Sequence, residues 1–295
     1  ADTLPDMLPG QFAEIRVDDS PSTFLRRPIS INYVDRNNNE IWFLIQLVGD
    51  GTRHLALAKQ GDNINVVLPY YMYSRSDKKD QPRVPITAKL VAEILESAGA
   101  TRVITCDLHN PAIQAYFNNI NCDRLSGERL LEKYFEEKKL DNMVIVATDA
   151  GSSKKAYKYS KFFECPLALI DKRRESNNDN AVATNIIGDI EGKTAVIFDD
   201  EVSTAGTLVE AAHILKEHGA KEIYAGATHG VLVGPAIERI EKSPIKELVV
   251  TNTIPIEPEK RIDKIKVVSI APLFAEAIKR LNEAKPLGDL FEYDK

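Results

Sequence analysis

Asp199 and Asp200 stand side by side at the end of an apolar run, residues 194–198, and the small residues Ser203, Thr204, Ala205, Gly206 and Thr207 follow at once. An amphipathic segment begins at Leu208. A strand, a small-residue loop and a helix N-terminus together make an anion site, because free backbone N–H groups and the positive end of the helix dipole face the ligand. The hydroxyls of Ser203, Thr204 and Thr207 add donors. With a phosphate in the loop, the two carboxylates fall where sugar hydroxyls or a metal would lie. This suits a phosphorylated sugar better than a nucleoside triphosphate, since the Gly-Lys-Ser/Thr ending of a Walker loop is missing. The plainer alternative is a strand–turn–helix unit without a ligand, but adjacent carboxylates ending a buried strand are costly without a task.

The elements that must hold these groups read as α/β from about residue 70 onward. Helices are expected over 84–97, 127–135, 153–163, 208–218, 235–242 and 272–284. Strands are expected over 102–106, 143–147, 167–170, 194–198, 222–227, 247–251 and 266–270. In the first helix Ile86, Leu90, Val91, Ile94 and Leu95 share the apolar face. Alternating strands and helices build parallel sheets covered on both faces, with ligands beyond the carboxyl ends of the strands. His109, Asp149, Lys172, Asp199 and Asp200 all gather at such ends. Residues 1–69 differ: 12–17, 24–34 and 40–48 are β-like runs separated by Asp/Ser/Asn turns, which implies antiparallel structure and a boundary near Pro69.

With 295 residues, 43% hydrophobic and 28% charged, the chain has the composition of a soluble globular protein large enough for two cores. A net charge of −6 argues against a general nucleic-acid binder. No apolar run is long enough for a membrane span. Cys106, Cys122 and Cys165 lack metal-ligand spacing and are expected to be reduced thiols of a cytoplasmic protein. His213 and His218 read as surface residues of a helix. The first residue is Ala1, so a trimmed or incomplete start is expected.

The residues Tyr70, Tyr71, Tyr73, Arg75 and Ser76, followed by Pro85-Ile86-Thr87-Ala88-Lys89, Asp107-Leu108-His109, Thr148-Asp149, Asp171-Lys172-Arg173-Arg174 and the phosphate loop, form an ordered series. Over about residues 67–295 this series resembles the ribose-phosphate diphosphokinases (phosphoribosyl-diphosphate synthetases). The resemblance implies diphosphate transfer from ATP to ribose 5-phosphate in nucleotide biosynthesis, with Mg²⁺ as cofactor and a homo-oligomer, a hexamer, as the working form. It implies a metal site at His109 and Asp149, ATP contacts at Arg75 and Ser76, and catalysis by Lys172 and Arg174. It also implies ribose 5-phosphate binding by Asp199, Asp200 and residues 203–207, under a lid at 177–180. Ser76 and Ser152-Ser153 depart from the family's commoner Gln and Gly. Tyr70, Tyr71 and Tyr73 read equally well as packing.

Residues 4–69 resemble instead the FAD-binding barrel of the dihydroorotate dehydrogenase electron-transfer subunit, through the segments 9–12, 25–30 and 48–52. That resemblance implies flavin contacts at Arg27, Ser30, Gly51 and Thr52, although FAD binding is not expected from a barrel lacking its opening strand. The chain therefore reads as chimera-like. Three parts are expected: a truncated barrel at 1–69, the remainder of a synthetase N-terminal domain at 70–142, and a phosphoribosyltransferase-type domain at 143–295. A non-catalytic phosphosugar-binding or regulatory protein and a flavin-binding electron-transfer module are the alternatives to the enzyme.

Overall fold

The computed structural model describes residues 12–15, 27–35, 40–43, 65–174 and 182–291; the first three segments, 172–174 and 182–184 are described by backbone alone. The chain divides into two units, residues 1–124 and 125–295.

In the first unit β1 (Phe12–Ile15), β2 (Arg27–Asp35) and β3 (Glu40–Phe43) form an antiparallel sheet in that order. This matches the antiparallel character expected of the opening segment. Next, β4 (Asn65–Leu68) runs into the tyrosine-rich loop and α1 (Thr87–Ser97). It pairs in parallel with β5 (Arg102–Cys106), and β6 (Asn121–Leu125) completes a second sheet in the order β4-β5-β6. Helix α1 buries Ala88, Val91 and Ala92 against Tyr71, Val103, Leu108, Ile113 and Phe117. Leu90 and Ile94, expected on the buried face, are exposed. The stripe is turned because the two alanines allow the helix to lie close on the sheet, where longer side chains would hold it off.

The second unit opens with α2 (Glu128–Lys138), β7 (Met143–Ala147), α3 (Ser153–Phe162), β8 (Leu167–Arg174) and β9 (Val182–Ile187). It continues through β10 (Thr194–Val202), α4 (Gly206–Glu217), β11 (Glu222–Gly230) and α5 (Ala236–Lys242). β12 (Glu247–Thr251), β13 (Ile265–Val268) and α6 (Ala271–Asn282) complete it. One seven-stranded sheet runs β13-β12-β11-β10-β7-β8-β9, parallel except at the β8–β9 hairpin.

Both faces of this sheet are covered, which is why its strands are continuous apolar runs. Along β10, Ala195 and Ile197 join a core with Leu208, Ala211 and Leu215 of α4. Val196 and Phe198 point the other way, to Leu131 and Phe135 of α2 and Ala156 and Tyr159 of α3. Those contacts place α2 with the second unit, which begins at residue 125 rather than at the 143 read from sequence. Phe198 stacks on Tyr159 with centroids 3.7 Å apart and meets Phe135 edge-on at 5.2 Å. Gly226 on β11 makes room for this aromatic cluster: a Cβ there would stand 3.0 Å from Phe198 and 3.1 Å from Phe135.

The strand order reverses between β7 and β10. From β7 the sheet grows through β8 and β9; from β10 it grows through β11, β12 and β13. At such a switch point the loops leave in opposite directions and open a crevice beyond the carboxyl edge.

Candidate active site

That crevice lies between the ends of β7 and β10. The pairing of β10 with β7 stops at Ile197, while its pairing with β11 continues to Val202. The strand therefore runs four residues beyond the end expected at residue 198, because β11 carries the ladder onward. Asp199 and Asp200 sit in this one-sided stretch, both half-buried. The backbone N–H of Asp200 donates to Asp199 Oδ1 at 2.8 Å.

Loss of water around Asp199, reinforced by the neighbouring Asp200 carboxyl, pushes its pKa up to about 7. The Lys155 ammonium on α3 opposes the rise. Sequence reading missed Lys155. It is itself held by Glu128 of α2, which takes Lys155 at 3.2 Å and Lys158 at 3.2 Å. The available signal was the lysine spacing on the helix that follows Asp149, but a buried carboxylate facing it from α2 is a tertiary fact.

After Val202 the chain turns through Ser203 and Thr204 into Ala205, which adopts the left-handed region at φ 58°, ψ 12° and leads directly into α4. A left-handed residue ahead of helical ones converges successive backbone N–H groups on one point, a geometry suited to an anion. No side chain caps α4, so these N–H groups are not consumed by a capping hydroxyl. The loop is buttressed from behind: Leu232 N–H donates to Val202 O at 3.0 Å and Val233 N–H to Ser203 O at 3.1 Å.

Across the crevice, Asp149 follows β7. Its Oδ1 accepts the Ser152 N–H at 2.8 Å, and Ser152 Oγ donates to Asp149 O at 3.0 Å. The carboxylate thus also fixes the turn into α3. Lys172 and Arg174, read from sequence as part of a loop, lie on β8, where Lys172 pairs with Thr184 and Arg174 with Val182. β7 accompanies β8 only to Leu169, so the ribbon runs on past the carboxyl edge paired with β9 alone. The lid expected at 177–180 lies outside the described residues.

The remaining expected residues belong to the first unit. Exposed Arg75 and partly buried Ser76 lie in the loop after β4. The Ser76 hydroxyl donates to Thr87 Oγ1 at 3.3 Å and its carbonyl accepts the Ala88 N–H at 3.1 Å, so Ser76 anchors the start of α1. Asp77 accepts from Asn110 Nδ2 at 2.7 Å, which draws this loop to the segment carrying exposed His109. Of the tyrosines, Tyr71 is core, donating to Ala88 O at 2.8 Å, while Tyr73 is exposed. A hollow of about 500 Å³ lined by Tyr157, Ser160, Lys161, Glu164, Cys165 and Leu167 opens where β8 begins, at the opposite edge from this chemistry.

Comparison with known proteins agrees with this geometry. Residues 47–99 match the N-terminal domain of ribose phosphate pyrophosphokinase, and residues 179–292 match the phosphoribosyl synthetase-associated domain. The ribose-phosphate pyrophosphokinase of Caldanaerobacter subterraneus subsp. tengcongensis is 54% identical over 256 residues, 86% of this chain and 78% of that one. The enzyme of the same name from Halalkalibacterium halodurans is 56% identical over 229 residues, 78% and 72% of the two chains. The crystal structure of phosphoribosylpyrophosphate synthetase from Mycobacterium smegmatis superposes with a TM-score of 0.71 at 33% identity, covering 87% of this chain and 91% of that one.

These matches correct one expectation. The N-terminal-domain match reaches back to residue 47, so Gly51 and Thr52, which lie outside the described residues, fall in synthetase sequence rather than in a flavin barrel. Arg27 and Ser30 are placed on β2 by backbone alone, and nothing supports a flavin role for them. The α/β architecture, the left-handed loop at the switch point and relatives above 50% identity converge: the chain belongs to the ribose-phosphate pyrophosphokinase family.

Proposed function

We propose that the chain transfers the diphosphoryl group of ATP to the anomeric hydroxyl of ribose 5-phosphate, giving phosphoribosyl diphosphate and AMP. The sugar's C1 oxygen forms a bond to the β-phosphorus while the bond from that phosphorus to the α–β bridging oxygen breaks. AMP leaves with the bridging oxygen and its electron pair, and the hydroxyl proton is released. What most supports this reading is the juxtaposition, in a chain of this family, of the Asp199–Asp200 pair with an uncapped, left-handed loop at the switch point.

In this reading residues 203–207 cradle the 5-phosphate and Asp199 and Asp200 accept hydrogen bonds from the ribose hydroxyls. Lys172 and Arg174 neutralise charge on the transferring group, which is where phosphoryl-transfer enzymes gain most of their rate. Arg75 faces ATP, and Ser76, bonded to Thr87, sets the loop that carries it. Mg²⁺ keeps several waters and takes one or two protein carboxylates together with phosphate oxygens. Asp149, a carboxylate just past the carboxyl end of β7, is a donor of that kind. Asp149 and His109 would hold the ion, which would supply charge neutralisation on the phosphate oxygens. A homo-oligomer, a hexamer, working in the cytoplasm completes the proposal.

A coupled assay for AMP from ATP, ribose 5-phosphate and Mg²⁺ tests it. AMP is expected only when all three are present. Saturable ribose 5-phosphate binding without AMP would make the chain a phosphosugar-binding protein instead.

A further inference from the structure

Arg239 lies outside every motif read from the sequence, yet its guanidinium reaches the phosphate loop. Nη1 donates to the Thr204 carbonyl at 3.0 Å, and the same atom stands 3.3 Å from where a Cβ on Gly206 would be. The side chain springs from α5, whose Ala236 and Ile240 are fully buried on either side of it along the helix. The segment that leads into α5 is the one whose Leu232 and Val233 N–H groups hold Val202 and Ser203. Three consecutive carbonyls of the loop, at positions 202, 203 and 204, are thus held from this single segment.

We propose that Arg239 is a positioning residue for the sugar-phosphate site: it fixes the Thr204–Ala205 peptide so that the loop's N–H groups converge on the 5-phosphate. The inference rests on the reading of residues 203–207 as that phosphate's cradle. Two physical facts carry it. In a trans peptide the carbonyl and the following N–H point in opposite directions. Holding the Thr204 carbonyl toward Arg239 therefore turns the Ala205 N–H away from it, to the other side of the loop. The conformation being held is also one that a residue with a side chain resists: Ala205 is at φ 58°, where an L-residue is strained and needs outside support. A charge-assisted hydrogen bond is about twice as strong as a neutral one, and a guanidinium presents its donors in a fixed plane. An arginine therefore suits this role better than a flexible point charge would. Its remaining donors also bring positive charge to a loop that must receive a dianion.

The test is titration calorimetry with ribose 5-phosphate together with steady-state kinetics on the full chain. Arg239→Met keeps the length of the stem and removes the donors. It is expected to weaken ribose 5-phosphate binding and raise its KM about tenfold, the usual cost of losing one charged hydrogen bond. The KM for ATP and kcat should stay within twofold. Arg239→Lys, with a charge but no planar fork, should fall between the two. Ribose 5-phosphate affinity within twofold of the parent in Arg239→Met would overturn the proposal. So would a loss shared equally by ATP and kcat, which is what general disruption produces. Gly206→Val tests the reading beneath it. If that variant loses binding while Arg239→Met does not, the loop is the site and Arg239 has no part in it. If Gly206→Val binds as the parent does, the loop is not the site and both ideas fall.

Discussion

At the scale of single residues, Asp199 has the most to say about pH. Its pKa is raised to about 7, chiefly by loss of water and then by Asp200. A raised carboxyl favours the folded state while it stays protonated. Its contribution is whole below the unfolded value near 3.8 and is lost as pH climbs through about 7. Ligand binding runs the other way. If the carboxylate accepts hydrogen bonds from ribose hydroxyls, it must be ionised, so affinity for ribose 5-phosphate should rise from pH 6 to pH 8. The sugar phosphate's own second ionisation, near pH 6 or so, adds to this, and comparison with Asp199→Asn separates the two. Calorimetry should show a shallower pH slope in Asp199→Asn; equal slopes would mean that Asp199 does not titrate on binding. Phe198, next to it, is a pure packing residue with three aromatic neighbours. Phe198→Ala should cost about 3–5 kcal/mol of stability by denaturant unfolding.

At the scale of elements, the two that matter most are those that outrun their neighbours. β10 continues past β7 on the β11 side, and β8 continues past β7 on the β9 side. The crevice is the gap left where β7 ends. The sequence signalled both charged ends, Asp199-Asp200 and Lys172-Arg173-Arg174, but read them as strand termini followed by loop. Strand extension depends on a partner across the ladder, and partners are not visible in a local run of residues. In the proposed function Lys172 neutralises charge that builds in the transition state, so its loss should show in the chemical step. Lys172→Ala is expected to lower kcat by about a hundredfold or more, the scale on which electrostatic stabilisation of a transition state acts, while changing ribose 5-phosphate affinity less than threefold or so. Equal losses in both, measured by steady-state kinetics and calorimetry, would make Lys172 an ordinary binding residue.

At the scale of the whole molecule, the proposed site residues are carried by both units. Asp149, Lys172, Arg174, Asp199, Asp200, residues 203–207 and Arg239 all belong to residues 125–295, whereas Arg75, Ser76 and His109 belong to residues 1–124. The second unit has its own two-faced core around one sheet. Expressed alone, residues 125–295 should fold cooperatively and bind ribose 5-phosphate with an affinity within about threefold of the full chain, since the proposed sugar-phosphate residues are all carried by that unit, while forming no AMP. Circular dichroism, calorimetry and the AMP assay check the three parts. Loss of sugar-phosphate binding in a folded fragment would mean that the first unit contributes to that site.

The sequence by itself determined the alternating α/β order and the small-residue loop 203–207 between β10 and α4, and it put His109 and Asp149 just past the ends of β5 and β7. Each of these follows from local periodicity and from short runs of chemically unusual residues. What only the tertiary structure decided is which distant groups meet. The turned face of α1, the membership of α2 in the second core, the Glu128–Lys155 pair beside Asp199 and the grip of Arg239 on Thr204 all depend on contacts between segments far apart in the chain. Burial sets the pKa of Asp199 and strand pairing sets the reach of β8 and β10, and neither quantity exists until the sheet has assembled around them.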